Sequence, residues 1–160
     1  PGAIAYQNAS HSPLSNARWP LMLSQLAIGF ALVTLTFLVH GVSLDLIIRV
    51  LRRIGAPAIA HWRFVSISLF VLAVFATHVV EIWIWAGFYL FIGQFQSLEP
   101  ALYFSTSSFT TVGFGDVTLS EAWRLLSSME AANGMILFGW STAFIFEIGR
   151  RVYEQLRHSG

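Results

Sequence analysis

The residues best suited to chemistry in this chain are Thr110-Thr111-Val112-Gly113-Phe114-Gly115-Asp116. They close a polar run from Ser105 to Thr111 that lies between two long apolar segments. Gly113 and Gly115 accept backbone angles that L-residues avoid, so successive carbonyls of this loop can all face one axis. Copies of the loop around that axis would stack rings of oxygens able to replace the hydration shell of a cation. The Thr111 hydroxyl would close one end of the stack. A single copy coordinates nothing, so this chemistry demands an oligomer. The bland alternative is a Gly-rich turn at a helix end, the commoner meaning of such a string in a soluble protein. The membrane-like flanks argue against it.

Two further constellations stand out. His78 and Glu81 lie one turn apart on the same face of an apolar helical segment. Ionisable groups inside a membrane are costly and mark functional sites by default. The plainer reading, favoured here, is a hydrogen-bonded pair that fastens this helix to a neighbour; proton sensing is the alternative. Asp45, Arg49, Arg52 and Arg53 share one helical face, with Leu44, Ile47, Ile48, Leu51 and Ile54 on the other. That pattern predicts an amphipathic helix along a membrane surface. A voltage-sensing helix is disfavoured, because Gly41, Gly55 and Pro57 flank the arginines and no acidic helices precede them. Enzyme machinery is missing. His78-x-x-Glu81 is not the His-Glu-x-x-His zinc pattern, no Gly-rich phosphate loop occurs, and the serines lack a placed His-Asp pair. No enzymatic activity and no cofactor are expected.

The elements that must position the loop follow from length and apolarity. The chain has 160 residues, 56% hydrophobic and only 11% charged, with mean hydropathy +0.66. Soluble domains average about 25% charged residues, so an integral membrane protein is expected. With no cysteine, neither a disulfide framework nor a thiolate metal site is available, and the net charge of +1 gives no reason to expect a nucleic-acid partner. The chain opens at Pro1 rather than Met, and residues 1 to 17 are read as a trimmed tail with no assigned element. Trp19 suits the headgroup belt and Pro20 a first helical turn. Leu21 to His40 is apolar and uncharged, about 20 residues at 1.5 Å each, enough to span a hydrocarbon core. No basic cluster or small-residue cleavage site marks it as a signal peptide. Gly41 to Ala60 is the amphipathic connector. His61-Trp62-Arg63 opens a second span reaching Ile92, with Trp83, Trp85 and Tyr89 toward its far interface.

After a turn at Gly93 to Leu98, Ser97 or Glu99 can cap a helix with Pro100 in its first turn. Ala101 to Phe109 is too short to cross a bilayer and reads as a re-entrant half-helix. Irregular backbone at membrane depth survives only where lipid is excluded. The carbonyl end of the half-helix, with its negative dipole, would face the dehydrating cation. A last span runs from Trp123-Arg124 to Arg150-Arg151.

Thr111-Val112-Gly113-Phe114-Gly115 resembles the selectivity filter of potassium channels, which commonly carry Tyr at the position of Phe114. Ala101-Leu102-Tyr103-Phe104 is similar to that family's half-helix and aligns with it without a gap through the filter. Arg124 and Gly134 match its spacing between the inner-helix start and a flexible glycine. The likeness covers Glu81 to Arg151. It implies an all-α membrane protein with three transmembrane helices per subunit, a re-entrant pore half-helix and a filter loop, assembled as a homotetramer in the cell (inner) membrane. It implies passive K+ conduction, with Thr111, Val112, Gly113, Phe114 and Gly115 forming the filter and K+ as the permeant ion. Tyr103, Asp116 and Glu130 would support the filter, Gly134 would act as hinge, and Met135, Phe138, Thr142 and Phe146 would line the cavity, with Phe146 as gate. Phe114 lacks the hydroxyl that ties the filter to its aromatic surround. Ser107 stands where some members place a carboxylate, so Asp116 must find another partner. Glu130 could face the back of the filter, pair with Arg124 or meet a loop amide.

These readings divide the chain into an extracellular tail (1–20), an extra transmembrane helix with a cytoplasmic amphipathic connector (21–60), the pore module (61–151) and a short cytoplasmic tail (152–160). Arg49, Arg52, Arg53 and Arg63 fall between the first and second spans, and Arg150, Arg151 and Arg157 follow the third. The bias of Lys and Arg toward the cytoplasm places both regions inside, the N-terminus and filter mouth outside. The partners implied are lipid, K+ and further copies of the chain. A non-conducting or regulatory pore subunit, or a weakly selective cation channel, is the rival function.

Overall fold

A computed structural model describes residues 14–54 and 63–158. Among these residues the only regular elements are four helices: α1 (Leu14–Ile54), α2 (Arg63–Phe91), α3 (Leu98–Phe109) and α4 (Arg124–His158). Three carry windows long and apolar enough to cross a membrane, Trp19–Arg53, Phe64–Phe91 and Arg124–Arg150. α3 has 12 residues, about 18 Å at 1.5 Å each, well short of a hydrocarbon core of about 30 Å. The protein is therefore a multi-pass, all-helical membrane protein with one short helix set among three spans.

The expected break after His40 does not occur. α1 runs on through Gly41 as one helix of 41 residues, so the separate surface helix at Gly41 to Ala60 is corrected. A glycine inside a helix costs only about 1 kcal/mol, and tertiary contacts on both sides of Gly41 hold the helix together. His40 is hydrogen-bonded to Glu81, and Leu44 is buried with Phe70 and Val74. The amphipathic pattern serves this packing. Ile47 and Leu51 join that second cluster with Phe144, Ile145 and Ile148 of α4, while Asp45, Arg49, Arg52 and Arg53 stay exposed. The expected stops at Gly55 and Pro57, the helix opening at His61-Trp62, and residues 1–13 lie outside the described residues. Pro20 falls inside α1 rather than in its first turn, and α4 continues past Arg151 to His158.

The main core gathers Leu32 of α1, Trp85 and Tyr89 of α2, Phe104 and Phe109 of α3, Leu119 of the connecting loop, and Leu126 and Leu137 of α4. Trp85 and Tyr89, expected at a membrane interface, are fully enclosed. α1 packs on α2 and α4. Lipid offers no hydrophobic drive for helix association, so small and polar residues hold such helices. Here Gly29 abuts Met129 and Leu126, the Asn133 amide donates to Thr36 Oγ1 at 2.9 Å, and the Leu125 N–H donates to Gln25 Oε1 at 3.3 Å. The last bond satisfies one of the orphan amides at the start of α4.

Candidate functional site

α3 presents the loop. Ser97 occupies its capping position in extended conformation, though its hydroxyl does not close a cap. Glu99 lies in the first turn, where the helix dipole favours a carboxylate. The helix stops at Phe109, and the backbone then changes hand at every second residue. Thr111 (φ 62°), Gly113 (φ 58°) and Gly115 (φ 79°) are left-handed. Val112 and Phe114 are not, and Thr111 is the only non-glycine with positive φ among the described residues. Left-handed backbone at such a residue costs roughly 1–2 kcal/mol, a strain typical of functional loops.

Hydrogen bonds hold this conformation from behind. The Thr111 N–H donates to Ser108 O at 2.9 Å and the Gly113 N–H to Ser107 O at 3.1 Å. The Phe114 N–H donates to Ser107 Oγ at 3.3 Å. In a planar trans peptide each N–H points opposite to the preceding carbonyl. The carbonyls of Val112 and Gly113 therefore point away from α3, toward the side on which residues 111–116 are all exposed. Ser107 thus holds the loop twice, through its carbonyl and through its hydroxyl, which accepts the Phe114 amide.

Asp116 finds its partner in Tyr103. The Tyr103 hydroxyl donates to Asp116 Oδ2 at 2.8 Å, and Asp116 Oδ1 accepts the Val117 N–H at 3.1 Å. The hydrogen bond to Asp116, with lesser contributions from desolvation and the carboxylate charge, holds the Tyr103 phenol pKa above its usual value. Phe114, lacking a hydroxyl of its own, stacks on the Tyr103 ring with centroids 6.2 Å apart.

Glu130 faces α3 rather than Arg124, Asp116 or a loop amide. It is fully buried and accepts from Tyr89 Oη at 2.7 Å and from Ser105 Oγ at 2.5 Å. Ser105 also lies 2.9 Å from the Ile82 carbonyl. One carboxyl thus joins α2, α3 and α4 behind the half-helix. Sequence reasoning missed Ser105 and gave Tyr89 another role. The available signal was a pair of hydroxyls, Ser105 and Ser108, on a face shared with Ala101, Phe104 and Phe109, opposite a carboxyl that needed donors.

Gly134 is also committed to packing. A Cβ there would come within 2.0 Å of the Phe109 carbonyl oxygen, the last residue of α3. Of the residues expected to line a cavity, Met135, Thr142 and Phe146 are exposed on α4. Phe138 is half-buried and packs within the chain, its ring 5.5 Å from Phe109 and 4.8 Å from His78.

His78 and Glu81 prove to be part of a larger buried group with His40 and Ser141. His78 Nδ1 lies 2.8 Å from Glu81 Oε2, and His40 Nδ1 lies 2.8 Å from Glu81 Oε1. The expected fastening of α2 to a neighbour is present, and it reaches both α1 and α4.

Comparison with known proteins bears on this arrangement. No curated protein and no solved structure matches the chain. Residues 75–151 match the ion channel family. The match takes in the later part of α2, α3, the loop of alternating hand and nearly all of α4 up to Arg151. It is in this segment, with its short helix and exposed loop held between two spans, that the chain matches the ion channel family.

Proposed function

We propose that the protein is the subunit of a homotetrameric, K+-selective channel that conducts passively through residues 111–115. The observation that carries the reading is the loop itself. Its backbone alternates in hand at Thr111, Gly113 and Gly115, its amides are tied back to Ser107 and Ser108, and the Val112 and Gly113 carbonyls are directed to the open side. Four such strands around an axis supply stacked oxygen rings that replace water around a dehydrated cation. The exposure of Val112 (55%) and Phe114 (69%) in a single subunit suits a surface that further copies cover. Met135, Thr142 and Phe146, exposed on α4, then line the cavity below the rings. Arginine placement sets the orientation, with the filter mouth outside and the C-terminus in the cytoplasm of the cell membrane.

The experiment is ion flux through purified protein in liposomes, followed by bi-ionic reversal potentials in bilayers. Selective K+ current blocked by barium is expected, and Gly113→Ala should abolish it, since a side chain penalises φ 58° at that position. A sodium-to-potassium permeability ratio near one would leave a weakly selective cation channel. No flux from a folded tetramer would leave a regulatory subunit. Selective current surviving in Gly113→Ala would put the filter elsewhere.

A further inference from the structure

His40, Glu81, His78 and Ser141 close a ring of four hydrogen bonds. Glu81 Oε1 and Oε2 each meet an Nδ1, of His40 and His78, both at 2.8 Å. On the other side a single Ser141 Oγ lies 3.0 Å from His78 Nε2 and 3.2 Å from His40 Nε2. The two imidazoles are stacked, with centroids 5.3 Å apart. All four residues are buried.

The hydrogen inventory of the ring is decisive. Each of the four bonds needs one hydrogen. The Ser141 hydroxyl supplies one and each neutral imidazole supplies one. The fourth must be an additional proton, held either by Glu81 as a carboxylic acid or by one histidine as imidazolium beside the carboxylate. Either placement gives the same total and the same net charge of zero. With one proton fewer, three hydrogens face four gaps, and a negative charge is left inside the helix bundle. With one more, two hydrogens crowd a single gap, and the bundle holds a positive charge. Both changes cost a buried hydrogen bond and a buried charge. The ring closes at one proton count only. Two imidazoles and a carboxylate can also hold a metal ion. Here, however, all four ring nitrogens are engaged with Glu81 or Ser141, so an ion would have to displace those bonds.

Among the described residues no other titratable group is hydrogen-bonded to or stacked on the ring. α1 contributes only His40; its next ionisable residue, Asp45, is exposed. α2 contributes His78 and Glu81. α3 contributes the Phe109 ring, 6.0 Å from His78, and its nearest titratable residue is Tyr103. α4 contributes Ser141, Trp140 at 5.2 Å from His40 and Phe138. On α4, Glu147, paired with Arg150, lies six residues from Ser141, about 9 Å along the helix, and Glu130, paired with Tyr89, lies 11 residues away, about 16 Å. The mechanical setting is direct. The ring joins α1, α2 and α4, and His78 packs on Phe109, two residues before Thr111.

We propose that His40, Glu81, His78 and Ser141 form a buried proton-binding site whose occupancy clamps α1 to the pore helices and, through Phe109, makes conduction depend on pH. The conduction half rests on the channel reading above; the proton site does not. The test uses the full chain in detergent micelles, with thermal unfolding followed from about pH 5 to about pH 9, a span containing the usual charge change of histidine. For the wild type, Tm is expected to fall on both sides of a plateau. Glu81→Gln supplies an N–H and a carbonyl oxygen in the same places, so four hydrogens fill four bonds with both histidines neutral and no proton left to lose. That variant should lose the alkaline fall in Tm and keep the acid fall. Parallel curves for wild type and variant would overturn the site. Should Glu81→Gln not accumulate as folded protein, the wild type decides alone, since a Tm without two limbs also overturns it. Flux in liposomes is then measured over the same range. A pH-independent flux beside the expected Tm behaviour overturns the coupling. An absence of all flux beside that behaviour counts against the channel reading and leaves the proton site supported.

Discussion

Gly134→Ala separates two meanings of the same glycine. If Gly134 serves only as a hinge in α4, alanine should stabilise the protein, because Gly to Ala in a helix interior gains about 1 kcal/mol. The structure demands the opposite sign. The added Cβ would lie 2.0 Å from the Phe109 carbonyl oxygen and 2.9 Å from its carbonyl carbon. Carbon contacts below 3.0 Å are essentially never seen, so the two backbones must part by about 1 Å, from 3.0 less 2.0. The obstacle is backbone rather than the end of a flexible side chain, and Phe109 and Asn133 beside it are buried. Overpacking of this kind costs roughly 1–3 kcal/mol, here at the upper end. After the propensity gain the net loss is about 1–2 kcal/mol. Thermal unfolding in detergent should show a lower Tm for Gly134→Ala. Selectivity should fall as well, because the displaced carbonyl lies two residues before Thr111. A raised Tm with selective current intact would refute the close-packing argument and restore the hinge as the glycine's sole purpose.

Other outcomes can be checked with the same preparation. Phe146→Ala should raise basal current, since Phe146 is the last large apolar residue on the exposed face of α4 and a ring of four can narrow and dewet a pore; wild-type current, or a closed-state constriction at Phe138 instead, would remove that gate. Tyr103→Phe keeps the ring against Phe114 but deletes the bond to Asp116, so sustained K+ current should decline faster under maintained activation; an unchanged time course would show that the stacking alone suffices. For topology, single cysteines at Ser12 and Ser159 of the Cys-free chain should differ toward an impermeant maleimide on intact cells. Labelling is expected at Ser12 only, and the reverse pattern would overturn the orientation.

Much of the architecture was legible because lipid imposes simple rules. Runs such as Leu21 to His40 are long enough to cross a bilayer and Ala101 to Phe109 is not, so spans and half-helix could be told apart by length. Arrangements that depend on partners distant in sequence could not. His78 and Glu81 advertise each other at three residues' spacing, but His40 lies 41 residues from Glu81 and 101 from Ser141. Nothing local marks His40 as a partner of either. Trp85 and Tyr89 have the composition of an interfacial belt, and only the packing of Phe104 and Glu130 against Tyr89 shows that they are core. Gly41 looks like a break because the contacts that carry the helix through it, at His40 and Leu44, are tertiary. Phe138 shares a helical face with Thr142 by counting, yet its ring is drawn to His78 and Phe109.

The first helix lies outside the segment that matches the ion channel family, which begins at residue 75, so its attachment needs its own explanation. Apolar surface alone cannot provide it, because lipid competes on equal terms for the same contacts. α1 instead carries polar residues at intervals along its inward face. Gln25 meets the first turn of α4, Thr36 meets Asn133 beside Gly134, and His40 meets Glu81. These points span 15 residues, about 22 Å of helix, so they fix register and rotation as well as contact. Each interhelical hydrogen bond in a membrane contributes on average only about 0.6 kcal/mol, and Gly29 adds close packing against Met129. An attachment built from a few such bonds is weak enough to be altered by the loss of one. Of the three, only the bond at His40 can be removed by changing a proton count. α1, which lies outside the matched segment, is thus held at one of its three polar points by the ring proposed above as a proton-binding site, and another member of that ring, His78, packs on Phe109, the last residue of α3.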